Sequence, residues 1–168
     1  YGVVIGYLKR LQDKWTRFHN ITCDHPGVGE YIVEDMKKSA IRNVQGVIFT
    51  ETQKETIATA LKETMRTAEC SLCRWKGQLE NTEGELITTC PNNCMSEEGN
   101  IRSLTPLLHI PYDPKLLIEL NTPSYLLTKT GKLQFTHPDG TLDDRFWALA
   151  MAVNSTVKTK PSKPVAVH

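Results

Sequence analysis

Three aspartates and four cysteines are the residues whose types and spacing could do chemistry in this sequence. Asp143 and Asp144 stand side by side in THPDGTLDDRFWALAMAV, just ahead of an apolar run through Phe146, Trp147, Leu149, Ala150, Met151 and Val153. Asp24 lies far upstream, in ITCDHPGVGE, where it ends an apolar stretch. Carboxylates that converge on one spot can hold Mg²⁺ or Mn²⁺, ions that bind a scissile phosphate, activate water and stabilise a leaving oxygen. A structural reading of the pair stands beside this one. Thr141, with Asp144 three residues on, has the form of a capping box, and acids in a first turn complement the helix dipole.

Cys70-x-x-Cys73 and Cys90-x-x-x-Cys94 make two close pairs separated by sixteen residues. Thiolates held in two such knuckles can close a tetrahedral zinc site, a staple for a polar segment with little core of its own. Four thiolates leave no open coordination position, so such a zinc would stabilise the segment or bind a partner rather than catalyse. Two disulfides or free thiols are the alternative, and a reducing compartment disfavours disulfides. Cys23 reads as a buried strand residue. His109 reads either as a replacement ligand or as a core residue.

Alternating elements must position these groups. Gly2 to Trp15 has Val4, Ile5, Leu8 and Leu11 at helical spacing. Phe18 to Cys23 reads as a short strand ending at Asp24, and Pro26, Gly27 and Gly29 turn the chain. A helix from about Glu30 to Ser39 follows, with Tyr31, Ile32 and Met36 inward, and then a strand from Val44 to Phe49. Thr50 or Thr52 caps the next helix, which runs to about Ala68 with Ile57, Leu61 and Met65 on one face. This alternation is that of an α/β domain. Glu69 to Thr105 breaks the pattern and carries the paired cysteines. Pro106 to Tyr112 reads as a strand and Pro114 to Asn121 as a short helix. Tyr125 to Thr128 and Lys132 to Phe135 read as a hairpin turning at Gly131. Thr141 opens the last helix. The division expected is a principal domain over 1–68 and 106–157, a four-cysteine zinc-binding insert over 69–105 and a basic flexible tail over 158–168.

The 168 residues suit one domain with a small insert, and 39% hydrophobic and 23% charged residues supply an ordinary globular core. Net charge of +1 gives no overall basic excess, so a nucleic-acid surface would have to gather its Lys and Arg locally. No apolar run approaches a membrane span and no secretory signal opens the chain, so a soluble, cytoplasmic protein is expected. No Gly-x-x-x-x-Gly-Lys-Ser/Thr loop occurs, so ATP hydrolysis is not expected of this segment.

ITCDHPGVGEYIVEDM, VQGVIFTETQKETIATALKETM, HIPYDPKLLIELNTPSYLLTKTGKLQF and HPDGTLDDRFWALAMAV together resemble the C-terminal nuclease domain of large terminase subunits, the DNA-packaging motors of tailed viruses. The resemblance spans Tyr1 to Val153 outside the cysteine insert, and the acids followed by an Ala-rich helix are its most specific part. It implies a ribonuclease H-like mixed sheet flanked by helices. It also implies a Mg²⁺- or Mn²⁺-dependent endonuclease that cuts concatemeric double-stranded viral DNA in the cytoplasm of the host cell. By position, Asp24 matches the acid on the strand after the first helix. Asp143 and Asp144 match the paired acids of the last helix, Asp144 foremost. Lys54, in TETQK, matches a basic position before the next helix, and reads either as a phosphate contact or as a solvated helix-start lysine. His137 either orients DNA or a carboxylate, or is a turn residue; Glu119 reads as an exposed or structural carboxylate. The family's first acid lies on a strand upstream of the first helix. The chain is therefore expected to be a fragment, or to receive strands from another chain, and to cut weakly or not at all by itself. The implied partners are the terminase ATPase domain, the portal and the small subunit. Two other readings remain: a non-catalytic DNA- or protein-interaction module of the packaging machinery, and a ribonuclease H-like resolvase or transposase.

Overall fold

The computed structural model describes residues 1–15, 20–24, 28–129, 131 and 133–158. The chain opens with helix α1 (Gly2–Lys14), strand β1 (Ile21–Asp24), helix α2 (Val28–Lys38), strand β2 (Val44–Val47) and helix α3 (Glu51–Arg66). β1 and β2 run parallel, with Ile21 opposite Val44 and Asp24 opposite Val47. The crossover between them is α2, as parallel pairing demands. Val33 and Met36 of α2 bury against Ile41 and Val44, and Ile5 and Leu8 of α1 and Ile21 and Cys23 of β1 pack on that cluster. Of the residues expected inward on α2, Met36 is buried, Ile32 is half-buried and Tyr31 is exposed.

Three local devices set these elements. Gln12 clamps α1 onto the turn after α2: its amide nitrogen donates to Ala40 O (3.2 Å) and its amide oxygen accepts from Arg42 N (2.7 Å). α2 ends in a paired turn in which Ala40 N–H donates to Lys37 O and Ile41 N–H donates to Met36 O, both at 3.0 Å. That motif puts Ala40 at φ +58°, a left-handed conformation glycine normally fills. α3 starts where Thr50 accepts from Gln53 N–H (3.2 Å), so of the two threonines it is Thr50 that caps.

β3 (Thr67–Glu69) leaves α3 directly and forms the centre of a three-stranded antiparallel sheet, between β4 (Lys76–Gln78) and β5 (Thr105–Pro106). This sheet belongs to the cysteine segment. The strand expected over 106–112 shrinks to the two residues of β5, and residues 107–113 run on without sheet pairing. Pro106 itself sits opposite Ala68 at the sheet's edge, where a missing N–H is tolerated.

Helix α4 (Pro114–Leu120) follows, with proline in its first turn and Asp113 accepting from Lys115 N–H (2.8 Å) and Leu116 N–H (3.2 Å). Those two bonds hold the Asp113 carboxyl below the usual carboxylate range. The hairpin β6 (Ser124–Leu127) and β7 (Leu133–Thr136) pairs antiparallel, and helix α5 (Asp144–Lys158) closes the described chain. Thr130 and Lys132, like Phe18, Pro26, Gly27 and the tail from 159 on, lie outside the described residues. Trp147, Ala150, Met151 and Val153 of α5 bury against Ile57 and Leu61 of α3, forming the larger core cluster. Met65, expected on that face of α3, is exposed.

The fold is mixed α/β, with five helices and three small separate sheets among the described residues. The strands implied for one mixed sheet thus fall into a parallel pair and a hairpin. No helix of the described residues is long and apolar enough to cross a membrane.

The Ala40 conformation yields a stability test. Ala40→Gly relieves the left-handed strain and is expected to stabilise the protein by about 1 kcal/mol, less glycine's own chain-entropy cost. Urea unfolding that shows a loss of stability instead would mean that the paired turn does not form.

Candidate functional site

Among the described residues, two places gather chemically capable side chains: a carboxylate-lined cleft and a cluster of four sulfurs.

The cleft is built from the ends of four elements. β1 ends at Asp24 beside Val47 of β2. β7 ends at Thr136 and leads through His137 and a turn at Asp139–Gly140 into α5. The cavity, about 570 Å³, is lined by Asp24, Lys54, His137, Asp139, Asp143 and Asp144, with Phe49, Phe135, Trp147 and Met151 as its apolar wall. All three sequence-marked aspartates therefore reach one cleft, and Lys54 and His137 reach it too. Asp139 was not singled out by sequence, because Pro-Asp-Gly reads first as a turn.

The aspartates differ in what they do locally. Trp147 N–H donates to the Asp143 carbonyl (3.1 Å), so Asp143 and not Thr141 begins the last helix. The Asp143 carboxylate also accepts from Trp147 Nε1 (2.8 Å), which holds the indole in place. The Thr141 hydroxyl donates instead to Pro138 O (2.6 Å), within the turn. The capping box expected of Thr141 and Asp144 is thus replaced by a tighter local bond. Asp24 and Asp144 are exposed, and their carboxylates make no hydrogen bond or ion pair with another described residue. Their oxygens are suitable donors for a hard cation. They line a common wall without closing on one point: among the described residues, only the four cysteines form a metal-competent group of three or more ligands.

The wall behind the acids is aromatic. Trp147 meets Phe49 at 5.3 Å, Phe135 at 5.4 Å and Phe146 at 4.9 Å between ring centroids. Lys54 Nζ lies 5.9 Å from the Trp147 ring centroid and 3.6 Å from Glu51. Ring and carboxylate together hold the ammonium at the cleft margin.

Glu119 is the residue whose part sequence left open, and it is structural. It is only 6% exposed. One of its oxygens accepts from Arg145 N–H and the other from Arg145 Nη1, both at 2.7 Å. A side chain from α4 thereby caps the N-terminus of α5, which places Asp144 at the cleft. The sequence cue is an acid amid Leu116, Leu117, Ile118 and Leu120, since buried acids are found paired.

The second place lies in the insert. Sγ atoms of Cys70, Cys73, Cys90 and Cys94 all lie within 4.8 Å of one another, an arrangement that could bind a metal such as zinc. No cysteine is disulfide-bonded. Arg74 and Asn93 adopt left-handed conformations, at φ +60° and +52°, and wrap each knuckle around its sulfurs. Hydrogen bonds from the Trp75 backbone and the Asn92 amide bring the Cys73 thiol down to about 6. The neighbouring sulfurs, Cys73 first, push the Cys94 thiol up to about 12. Opposed shifts among crowded thiols are the pattern a cation would resolve. Ala68, Cys70, Cys90 and Leu104 form a small core, on which Trp75, Leu79 and Ile87 pack. Gly77 is required there: a Cβ would sit 2.4 Å from the Trp75 ring. His109 is exposed and belongs to neither the cluster nor a core. Cys23 is half-buried, its thiol raised by burial, with Sγ 3.9 Å from Met36 Sδ.

No family model, curated protein or solved structure matches the chain.

The Glu119 cap carries a direct test. Glu119→Ala removes two charge-assisted bonds and is expected to cost about 2–3 kcal/mol in urea unfolding, with altered near-ultraviolet dichroism from Trp147. A loss below about 0.5 kcal/mol, the scale of an ordinary surface substitution, would show that α4 does not hold α5.

Proposed function

We propose that the chain is a ribonuclease H-like nuclease domain of the terminase type, cutting double-stranded viral DNA with Mg²⁺ or Mn²⁺ during genome packaging. The observation that carries this reading is the convergence of Asp24, Asp143 and Asp144 on one cleft, from a strand end and a helix start 119 positions apart in sequence. Asp24 and Asp144 are the proposed ligands, and Asp143 supports them while fixing Trp147. Bound divalent ions would activate water and stabilise the leaving oxygen. Lys54 sits where a flanking phosphate would pass. The exposed acids require a cation before an anionic backbone can approach, because uncompensated carboxylates repel it.

A second reading is favoured by one observation: the Asp143 carboxylate is engaged with Trp147. On that reading the acids shape the helix start, and the domain is a non-catalytic interaction module that contacts DNA, a portal or another packaging subunit. Plasmid nicking with Mn²⁺ separates the two, using this chain and a polypeptide extended N-terminally to include the upstream acid that the resemblance implies. Cleavage that falls at least about 100-fold in Asp144→Asn is expected. Cleavage by neither polypeptide, or equal cleavage by the variant, would leave the interaction module.

For the sulfur cluster we propose a structural Zn²⁺ held by Cys70, Cys73, Cys90 and Cys94. Metal analysis should find one zinc per chain, and chelation should release the packing of Trp75 while the α3–α5 core stays folded. Well under one zinc, together with four freely reactive thiols, would rule the site out.

A further inference from the structure

We infer that His137 is the proton acceptor for the attacking water in the aspartate cleft, held in the required tautomer by Thr141 and the Pro138 carbonyl. The inference rests on the nuclease reading above.

The argument is one of proton counting in a small turn. Thr141 has a single hydroxyl proton, and its Oγ1 lies 2.6 Å from Pro138 O. A carbonyl oxygen has no proton to give, so that short contact takes the hydroxyl proton. His137 Nδ1 lies 3.3 Å from the same Oγ1 and 3.2 Å from Pro138 O. Both neighbours are then acceptors toward the ring, and only a protonated Nδ1 satisfies them. In a neutral imidazole this leaves Nε2 with its lone pair. No described residue occupies Nε2, and His137 lines the cleft with Asp24, Asp139, Asp143 and Asp144. The backbone reinforces the arrangement: Thr141 N–H also donates to Pro138 O (3.1 Å), and Gly140 takes the left-handed conformation the turn needs, at φ +77°.

A bare ring nitrogen on a cleft lined by four carboxylates suits one task. A water attacking the phosphorus gives a proton to Nε2, and the new P–O bond forms as the P–O bond to the departing deoxyribose oxygen breaks. That oxygen takes a proton from solvent, and the imidazolium returns its own to solvent, so protons balance over the cycle. The aspartates stabilise the transient imidazolium, and Thr141 keeps the ring oriented, as a fixed partner on one nitrogen does for a general base on the other. Thr141 is a positioning residue in this scheme.

Nitrogen-15 NMR of the His137 ring reads the tautomer without any reference to activity. Nδ1–H is expected in the wild type and is kept in Thr141→Val, where Pro138 O still accepts from Nδ1; Nε2–H in the wild type would overturn the inference. Single-turnover cleavage is then compared in whichever polypeptide cuts DNA. His137→Gly should cut about 100-fold more slowly, with Mn²⁺ affinity by calorimetry as in wild type, and added imidazole should restore at least about 10-fold. Cleavage by His137→Gly at the wild-type rate would remove His137 from the chemistry while leaving the nuclease reading intact. A Mn²⁺ affinity that falls in step with the rate would make His137 a ligand instead. A wild-type protein that cuts nothing would end the nuclease reading and this inference with it.

Discussion

The position of the last helix depends on one buried carboxylate. A helix start leaves backbone N–H groups without partners, and here Glu119 supplies an acceptor from a different helix. The same side chain fixes the Arg145 guanidinium, so the backbone and side chain of a single residue are held by one carboxylate. Glu119 can do this because α4 is short and stiffly started, with Asp113 capping and Pro114 in the first turn. Asp113, α4, Glu119 and α5 thus form a chain of supports. Its outcome is that Asp143 and Asp144 emerge on the cleft that Asp24 also lines, and that Trp147 turns its indole back onto Asp143. The core face of α5 follows from the same placement, since Trp147, Ala150, Met151 and Asn154 recur at helical spacing on the buried side.

The helices were legible in the sequence because their apolar residues recur at helical spacing. α1, α3 and α4 fall within one or two residues of their expected limits, and Thr50, Asp113 and Pro114 mark the starts of α3 and α4 by known local chemistry. Sheet organisation was less legible. Short strands such as β1 and β2 carry too few residues for alternation to specify a partner, and the segment 106–112 has apolar residues without forming a strand beyond Pro106. Individual roles were hardest where two local bonds compete. Thr141 has the sequence form of a cap, yet its hydroxyl finds a carbonyl three residues back, and a helix cap is lost to a turn. Glu119 needed a partner 26 positions away, which no local pattern announces. The cysteines were legible because their spacing is itself the geometry: two knuckles of fixed length can meet in few ways.

The sulfur-rich segment and the helical body are stabilised by different means. Around Ile57 and Trp147 the helices interlock through large side chains. Around Cys70 and Cys90 the buried set is small, and the sheet β4–β3–β5 has only two or three residues per strand. A unit of that size buries too little apolar surface to hold itself together, so a metal held by the four sulfurs, as proposed, would dominate its stability. Its junction to the body is covalently tight, because β3 begins where α3 ends and Leu107 N–H donates back to Thr67 O (3.0 Å). The segment therefore continues directly from α3.

The main body contains two separate apolar clusters, and β2 touches both: Val44 belongs to the cluster of α1 and α2, Val47 to that of α3 and α5. Asp24 is carried by β1, a strand of the first cluster, whereas Asp144 is carried by a helix of the second. Any ion or ligand that draws these two carboxylates together acts as a clasp across a seam. Occupancy of the cleft would then be felt as mechanical coupling between two halves that otherwise meet through a few short contacts, so that the domain's cooperativity of unfolding becomes a reporter of what the cleft holds.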